Sequence, residues 1–144
     1  MAQQDHPPMA LAGLKVLDLS RILAGPAATQ LFADLGADVV KVENPDGGDD
    51  TRRWGPPFTR RADAGRGDAA YFSACNRNKR SITVDFASMA GADLLRDLAA
   101  KADIIVENFR PGGLQKYGLD YASIAAINPR IIYCSITGFG QTGP

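Results

Sequence analysis

The chain is 144 residues long and 45% hydrophobic, which suits one domain with a buried core. Its 16 basic and 16 acidic side chains cancel, and its two cysteines are too few for a disulfide framework and lack metal-ligand spacing, so we expect no nucleic-acid partner and no metal site. No apolar run is long enough to span a bilayer and the start lacks a secretory signal pattern, which predicts a cytoplasmic protein without a membrane partner.

The first half of the chain predicts a strand–helix–strand unit. Residues 1–12 are expected to form a disordered tail, and an apolar strand follows at residues 15–19. A helix is predicted over residues 27–35, ended by Gly36, and a second strand over residues 38–43. Such a unit favours a right-handed crossover in a parallel sheet. The helix has four apolar residues at helical spacing: Ala28, Leu31, Phe32 and Leu35.

Residues 44–69 interrupt this pattern. They are rich in Gly, Pro, Asp and Arg and show no periodicity, which predicts a long loop that is either functional or disordered. The region from Arg52 to Arg80 carries eight basic residues against two acidic ones, and such a cluster can attract a polyanion or form a solvated face. The eight are Arg52, Arg53, Arg60, Arg61, Arg66, Arg77, Lys79 and Arg80.

The second half predicts three more strands. They lie at residues 81–85, 103–107 and 130–136, and Cys134 in the last of them is expected to be a small core residue. A helix capped by Ser88 is predicted to run to about residue 100, with an inner face formed by Leu94, Leu95 and Leu98. Short helical pieces are predicted near residues 114–117 and 121–127. Five strands alternating with helices indicate a doubly wound α/β sheet, which binds ligands beyond the carboxyl ends of its strands.

Common catalytic and nucleotide-binding motifs are absent from the sequence. The loop at residues 20–26 has one glycine where a dinucleotide fingerprint has three, so Glu43 at the end of the second strand is a weak candidate for a ribose-binding acid. His6 is the only histidine, which excludes Ser–His and Cys–His pairs within the chain. The glycines at residues 138–143 suit either a loop that covers a ligand or an ordinary exit from the last strand.

Five segments, in this order and spacing, resemble one family. The chain is similar to the class III CoA-transferases, whose relatives include the α-methylacyl-CoA racemases, and the resemblance covers nearly all of it after the tail. The segments are LDLSRILAGP (17–26), LGADVVKVE (35–43), YFSACNRNKRS (71–81), ADIIVENFRPG (102–112) and ITGFGQTGP (136–144).

The resemblance implies a Rossmann-like large domain that binds coenzyme A (CoA). Residues 13–144 would be its incomplete N-terminal portion, and two full-length chains would interlock in a homodimer. CoA or acyl-CoA would be a substrate, with no permanently bound cofactor. The positions implied at the CoA site, together with the best basic and glycine candidates, are Ile22, Leu23, Glu43, Asn44, Arg77, Lys79, Arg80, Val84, Asn108, Lys116, Gly138 and Gly140.

The implied activity is transfer of CoA from an acyl-CoA donor to a carboxylic acid through a covalent aspartyl intermediate. The family's aspartate lies downstream of residue 144, so no catalytic residue is expected in this chain, which alone is expected to be inactive. A 2-methylacyl-CoA racemase and a non-catalytic CoA-binding fragment are the alternatives. Leu23 replaces a glutamine of the formyl-CoA transferases, which puts oxalate or formate as substrate in doubt. Asn44 and Lys116 each replace an arginine.

Overall fold

A computed structural model describes residues 9–143 as a mostly parallel α/β domain. The elements in chain order are β1 (Lys15–Asp18), α1 (Ala24–Asp34), β2 (Asp38–Glu43), a first 3₁₀ helix (Asp50–Arg53), β3 (Phe58–Arg60), β4 (Arg66–Ala69), α2 (Ala70–Asn76), β5 (Arg80–Thr83), α3 (Met89–Ala99), β6 (Ile104–Glu107), a second 3₁₀ helix (Gln115–Tyr117), α4 (Tyr121–Ile127) and β7 (Ile132–Ser135). Helices α1 and α3 have 11 residues each, and within residues 9–143 no helix has the length and apolar character needed to cross a membrane.

Five parallel strands form the main sheet in the order β5-β2-β1-β6-β7. Without the hairpin strands β3 and β4, this is the order third, second, first, fourth, fifth that Rossmann folds share. The predicted doubly wound sheet is therefore confirmed. The strand order reverses at β1, so the crevice beside the carboxyl end of β1 is where such a fold binds ligands.

Both faces of the central strands are buried. Neighbouring residues of a strand point to opposite faces, so Val16 and Val106 lie in one apolar cluster while Leu17 and Ile105 lie in the other. Helix α1 covers the first cluster and helices α3 and α4 cover the second, where Leu95 is fully buried. This two-sided burial explains the consecutive apolar residues in β1 and β6.

Helix α1 packs through a different face from the predicted one. It begins at Ala24, and Leu31 and Leu35 are 56% and 40% exposed. Gly25 lies close to Ser20 and Ala33 packs in the apolar cluster with Val16, so small residues form the buried face of α1 and the leucines lie on the other face. The buried residues of α1 are Gly25, Pro26, Thr29, Gln30 and Ala33.

Helix α3 follows its prediction more closely. The Ser88 hydroxyl accepts a hydrogen bond from the Gly91 N–H at 3.1 Å, which confirms the predicted cap. Leu95 is buried and Leu98 packs against the core, but Leu94 is 46% exposed because it lies outside the buried stripe. Cys134 is also exposed, contrary to the prediction, because β7 is the edge strand of the main sheet.

The long loop predicted at residues 44–69 contains regular structure. Asp49 caps the first 3₁₀ helix by accepting from the Thr51 N–H at 3.0 Å, and β3 and β4 pair as an antiparallel hairpin. The guanidinium of Arg66 stacks 3.5 Å from the ring centre of Phe58, and helix α2 follows where no helix was predicted. Strands of three and four residues are too short to show an alternating pattern, so periodicity could not predict them.

The predicted tail divides into two parts. Residues 1–8 lie outside the described residues. Residues 9–12 belong to the fold, because the Leu11 N–H donates to the Leu35 carbonyl at 2.9 Å and the Leu11 side chain packs on the α1 side of the sheet. The described part of the tail is therefore an ordered turn.

Candidate functional site

A pocket of about 240 Å³ opens at the carboxyl ends of β1, β2 and β5. The loops that follow these strands supply most of its lining, and Phe109, two residues after β6, supplies the far wall. The pocket is thus at the place where the strand order predicts a ligand. It is lined by Leu19, Arg21, Lys41, Val42, Glu43, Asn44, Gly48, Asp49, Val84, Asp85, Phe86, Ala87, Phe109 and Tyr117.

One side of the pocket is aromatic. Phe86 packs edge to face against Phe109 and against Tyr117, with ring centres 5.6 and 5.3 Å apart. Buried Val42 and Val84 add an aliphatic surface beside these rings. A flat, largely apolar group can pack against such rings, since aromatic pairs favour offset or edge-on contacts.

The opposite side of the pocket carries paired charges. Arg52 donates to both oxygens of Glu43 at 2.7 and 2.6 Å, and Ser81 also donates to this carboxylate. Burial by itself would raise the pKa of Glu43, but the hydrogen bonds from Arg52, Ser81 and the Asp49 N–H lower it below its ordinary value. Burial by itself would also raise the pKa of Asp49, but hydrogen bonds from Thr51 and the charge of Lys41 outweigh that effect. The pKa of Asp49 is therefore lowered as well.

These lowered pKa values predict acid sensitivity. Ordinary values are 4.5 for glutamate and 3.8 for aspartate, so the unfolded chain binds protons at a higher pH than the folded chain. The contribution of Glu43 and Asp49 to the free energy of unfolding is therefore fully present above about pH 4.5 and is lost as the pH falls below that through the lowered values. Urea titrations at pH 7 and at successive steps below pH 4.5 measure this loss. Glu43→Gln should flatten the acid limb, and an equally steep limb in that variant would contradict the assignment.

Side chains from β2 and from the segments after β2 and β6 hold the β1–α1 loop, residues 20–23. Asn108 accepts from the Arg21 N–H at 2.8 Å and donates to the Arg21 carbonyl at 2.7 Å. Lys41 donates to the Ser20 carbonyl at 2.9 Å, and Asp49 accepts from the Ile22 N–H at 3.2 Å. These bonds fix the backbone of the loop beside the pocket.

Gly25 allows this loop to close on helix α1. A Cβ atom at residue 25 would lie 2.2 Å from both Cβ and Oγ of Ser20. We expect Gly25→Ala to lower the free energy of unfolding by about 1–3 kcal/mol, because overpacking forces the loop and helix apart. Denaturant titration checks this against Gly138→Ala, where no atom lies within 4 Å of the added methyl group. Equal stability of the two variants would contradict the expectation.

The pocket brings together part of the predicted site. Glu43, Asn44 and Val84 line it. Asn108 and Ile22 are next to it, but their hydrogen bonds fix the loop, as described above. Leu23 is 49% exposed at the start of α1, and the Lys116 ammonium lies 4.7 Å from the ring centre of the lining residue Tyr117.

Three predicted anion contacts lie elsewhere. The Lys79 side chain is 1% exposed and pairs with Asp18, so its ammonium is enclosed. Arg77 pairs with Asp34 at the end of α1, and Arg80 pairs with Asp38 at the start of β2. Asp34 and Asp38 lie towards the amino ends of the strands, whereas Asp18 ends β1 and its buried carboxylate accepts from Thr29 of α1. None of the three cations lines the pocket, and their contact with CoA stays a prediction.

The predicted glycines Gly138 and Gly140 are also outside the pocket lining. Both are exposed in the segment that follows β7, with no atom within 4 Å of an added Cβ. Their contact with CoA stays a prediction. No group of three or more His, Cys, Asp or Glu side chains within residues 9–143 is arranged to hold a metal ion.

Sequence reasoning missed the aromatic side of the pocket. Phe86, Phe109 and Tyr117 come from three separate segments, and only the fold brings them together. Arg21, whose guanidinium lies 5.2 Å from the ring centre of Phe109, was missed as well. Position was the usable signal, since Arg21, Phe86 and Phe109 each follow the end of a predicted strand by one or two residues.

Comparison with known proteins finds close relatives. The model of CoA-transferase family III matches residues 11–144. A succinate–glutarate CoA-transferase from Agrobacterium fabrum is 59% identical over 134 residues, which are 93% of this chain and 34% of the relative. The human succinyl-CoA:glutarate CoA-transferase is 52% identical over 134 residues, 93% of this chain and 29% of the relative.

A solved structure agrees with these matches. The crystal structure of a CAIB/BAIF family protein from Brucella suis superposes with a TM-score of 0.90 at 62% identity, over 96% of this chain and 36% of that one. The chain therefore spans about a third of the length of the relatives that it matches.

Proposed function

The chain belongs to CoA-transferase family III, and from that premise we propose that the full-length protein moves CoA from an acyl-CoA donor to a carboxylic acid. The observation that supports this most is the pocket at the carboxyl ends of β1, β2 and β5, which has the shape and lining for part of CoA. CoA and its thioesters would be substrates, and no cofactor would stay bound.

The pocket and the exposed cations beside it suit two different parts of CoA. The rings of Phe86, Phe109 and Tyr117 offer packing surfaces for the adenine, and Glu43 and Asn44 offer polar groups at its edge. Arg21 and Lys116 are exposed cations close to these rings, which suits the phosphates of CoA.

The proposed chemistry is a carboxylate exchange. An aspartate outside this chain attacks the carbonyl carbon of the thioester, the carbon–sulfur bond breaks, and CoA leaves as the thiolate from an acyl-aspartyl anhydride. The acceptor carboxylate attacks the aspartyl carbonyl carbon of the anhydride and displaces the donor carboxylate, which leaves as the free acid anion. The thiolate then attacks the acceptor's carbonyl carbon in the new anhydride, which forms the new thioester and releases the aspartate carboxylate. The role of this chain would be to hold CoA while these steps take place.

A dicarboxylic acid is the proposed acceptor class. The relatives that are 59% and 52% identical carry succinate and glutarate in their names. Leu23 supplies an exposed apolar side chain at the start of α1, in place of the amide of the formyl-CoA transferases. We also propose an interlocked homodimer acting in the cytoplasm, as the family resemblance implies.

Labelled acceptor tests the proposal. The full-length protein is incubated with succinyl-CoA and ¹³C-glutarate, and the thioesters are followed by mass spectrometry. We expect one labelled glutaryl-CoA for each succinate released, without accumulation of free CoA, and much slower transfer to formate or oxalate. Hydrolysis without labelled thioester would contradict transfer, and racemisation of 2-methylacyl-CoA without exchange would assign the racemase activity instead.

A further inference from the structure

The β1–α1 loop is attached to a buried ion pair. Lys41 and Asp49 lie 3.0 Å apart, and both side chains are 1% exposed. Lys41 also donates to the Ser20 carbonyl at 2.9 Å, and Asp49 also accepts from the Ile22 N–H at 3.2 Å. Each member of the pair therefore holds one backbone atom of the loop.

Ile22 has a backbone conformation that needs such support. Its φ angle is +72°, in the left-handed region that β-branched residues rarely adopt. Conformations of this kind cost about 1–3 kcal/mol and persist where surrounding groups fix them. The Ile22 N–H donates to Asp49, and Asn108 bonds to both the N–H and the carbonyl of Arg21. These bonds fix the backbone conformation of Ile22.

The two carboxylate oxygens of Asp49 have different partners. Oδ1 accepts from the N–H and hydroxyl of Thr51 at 3.0 and 2.7 Å, which anchors the carboxylate on its own segment. Oδ2 faces the Ile22 N–H and the Lys41 ammonium. An amide at residue 49 can keep only one of these two acceptors, so asparagine would turn its NH₂ group towards two donors.

We propose that Asp49, with Lys41 as its counter-ion, is a positioning residue for the CoA-transfer reaction. The pair holds residues 20–22 in the strained conformation that sets Arg21 beside Phe109 and presents Leu23 at the start of α1. Lys41 and Asp49 also belong to the pocket lining, and their charges are already enclosed by the protein. The inference rests on the proposed function and adds a role that the predicted site residues do not include.

A purely structural role does not explain the geometry as well. A buried ion pair is weak support for stability, because desolvation of the two charges offsets much of their attraction. An ion pair that contributed only to stability would not need hydrogen bonds to a neighbouring loop. Here Lys41 of β2 and Asp49, the cap of the first 3₁₀ helix, bind the β1–α1 loop at Ser20 and Ile22.

Asp49→Asn in the full-length protein tests the proposal, with Asp50→Asn as the matched control. Asp50 is the next residue, is 46% exposed at its side chain and pairs with Arg53. We expect Asp49→Asn to lower kcat/KM for acyl-CoA about 10- to 100-fold, because the released loop displaces Arg21, which we place at the phosphates of CoA, and Leu23. Asp50→Asn should leave kcat/KM near the wild-type value. An unchanged kcat/KM in Asp49→Asn would overturn the proposal, as would an equal loss in the control.

Ile22→Gly separates positioning from stability. Glycine adopts a positive φ without strain, so the Asp49→Asn loss in kcat/KM should be smaller in the Ile22→Gly background. A loss of the same size in both backgrounds would mean that Asp49 acts only through the ion pair, and that result overturns the proposal. If Asp49→Asn alone does not fold, the double variant is compared with Ile22→Gly instead. If neither Asp49→Asn protein folds, Asp49 has a structural role only and the proposal fails. If the wild-type protein neither transfers nor binds CoA, the proposed function itself fails, independently of Asp49.

Discussion

Replacing Lys79 with methionine is expected to lower the free energy of unfolding by about 3–5 kcal/mol, the cost of leaving a buried charge without its partner. The Lys79 ammonium lies 3.0 Å from Asp18, and the two side chains are 1% and 0% exposed. Lys79 also donates to the Pro26 carbonyl and to Asn76, both at 2.8 Å. Burial lowers the pKa of Lys79, and the neighbouring Asp18 carboxylate opposes that shift.

Arg80→Met is the matched control for Lys79→Met. Arg80 also pairs with an aspartate, Asp38 at 2.6 Å, but these side chains are 68% and 47% exposed. Exposed pairs contribute about 0–1 kcal/mol, so Arg80→Met should be nearly neutral in urea titrations of the protein. Equal losses in the two variants would contradict the burial argument. Weaker CoA binding by a fully folded Lys79→Met protein would restore Lys79 to the CoA site.

Ala87→Trp is expected to weaken CoA binding by the full-length protein about 10- to 100-fold. Ala87 is exposed, lines the pocket and precedes the cap residue of α3, so a large side chain there enters the pocket without entering the core. An indole would occupy much of a 240 Å³ space that we assign to the adenine of CoA. That loss of affinity corresponds to about 1.4–2.8 kcal/mol of binding free energy.

Ala100→Trp is the matched control for this experiment. Ala100 is exposed at the end of α3, near the amino ends of the strands and outside the pocket lining. Isothermal titration with CoA should give the wild-type affinity for Ala100→Trp and the weakened affinity for Ala87→Trp. Equal affinity in all three proteins would show that CoA binds elsewhere.

The main sheet could be predicted because local signals agree with the tertiary structure. Gly36 has φ +97° and ends α1 as its position suggests, and the β2 prediction matches Asp38–Glu43 at both ends. The face of α1 could not be predicted from its apolar residues. Close packing against Ser20 and the sheet buries Gly25 and Ala33 and leaves Leu31 exposed, and hydrophobicity alone gives the opposite ranking.

The candidate site was predictable only in part. Family resemblance, rather than periodicity, indicated Glu43, Asn44 and Val84, and these residues line the pocket. The basic residues at 77, 79 and 80 form an unbalanced cluster in the sequence, but their carboxylate partners are 42–61 residues away. Only the fold brings those charges together, so a local charge count does not reveal that these cations are paired with carboxylates.

The location of CoA is the claim on which the proposals depend. A crystal structure of the full-length protein with CoA measures it directly. We predict the adenine between Val84, Phe109 and Tyr117, with the phosphates close to Arg21. Well-defined CoA at any other surface, with this pocket filled only by solvent, would contradict the account.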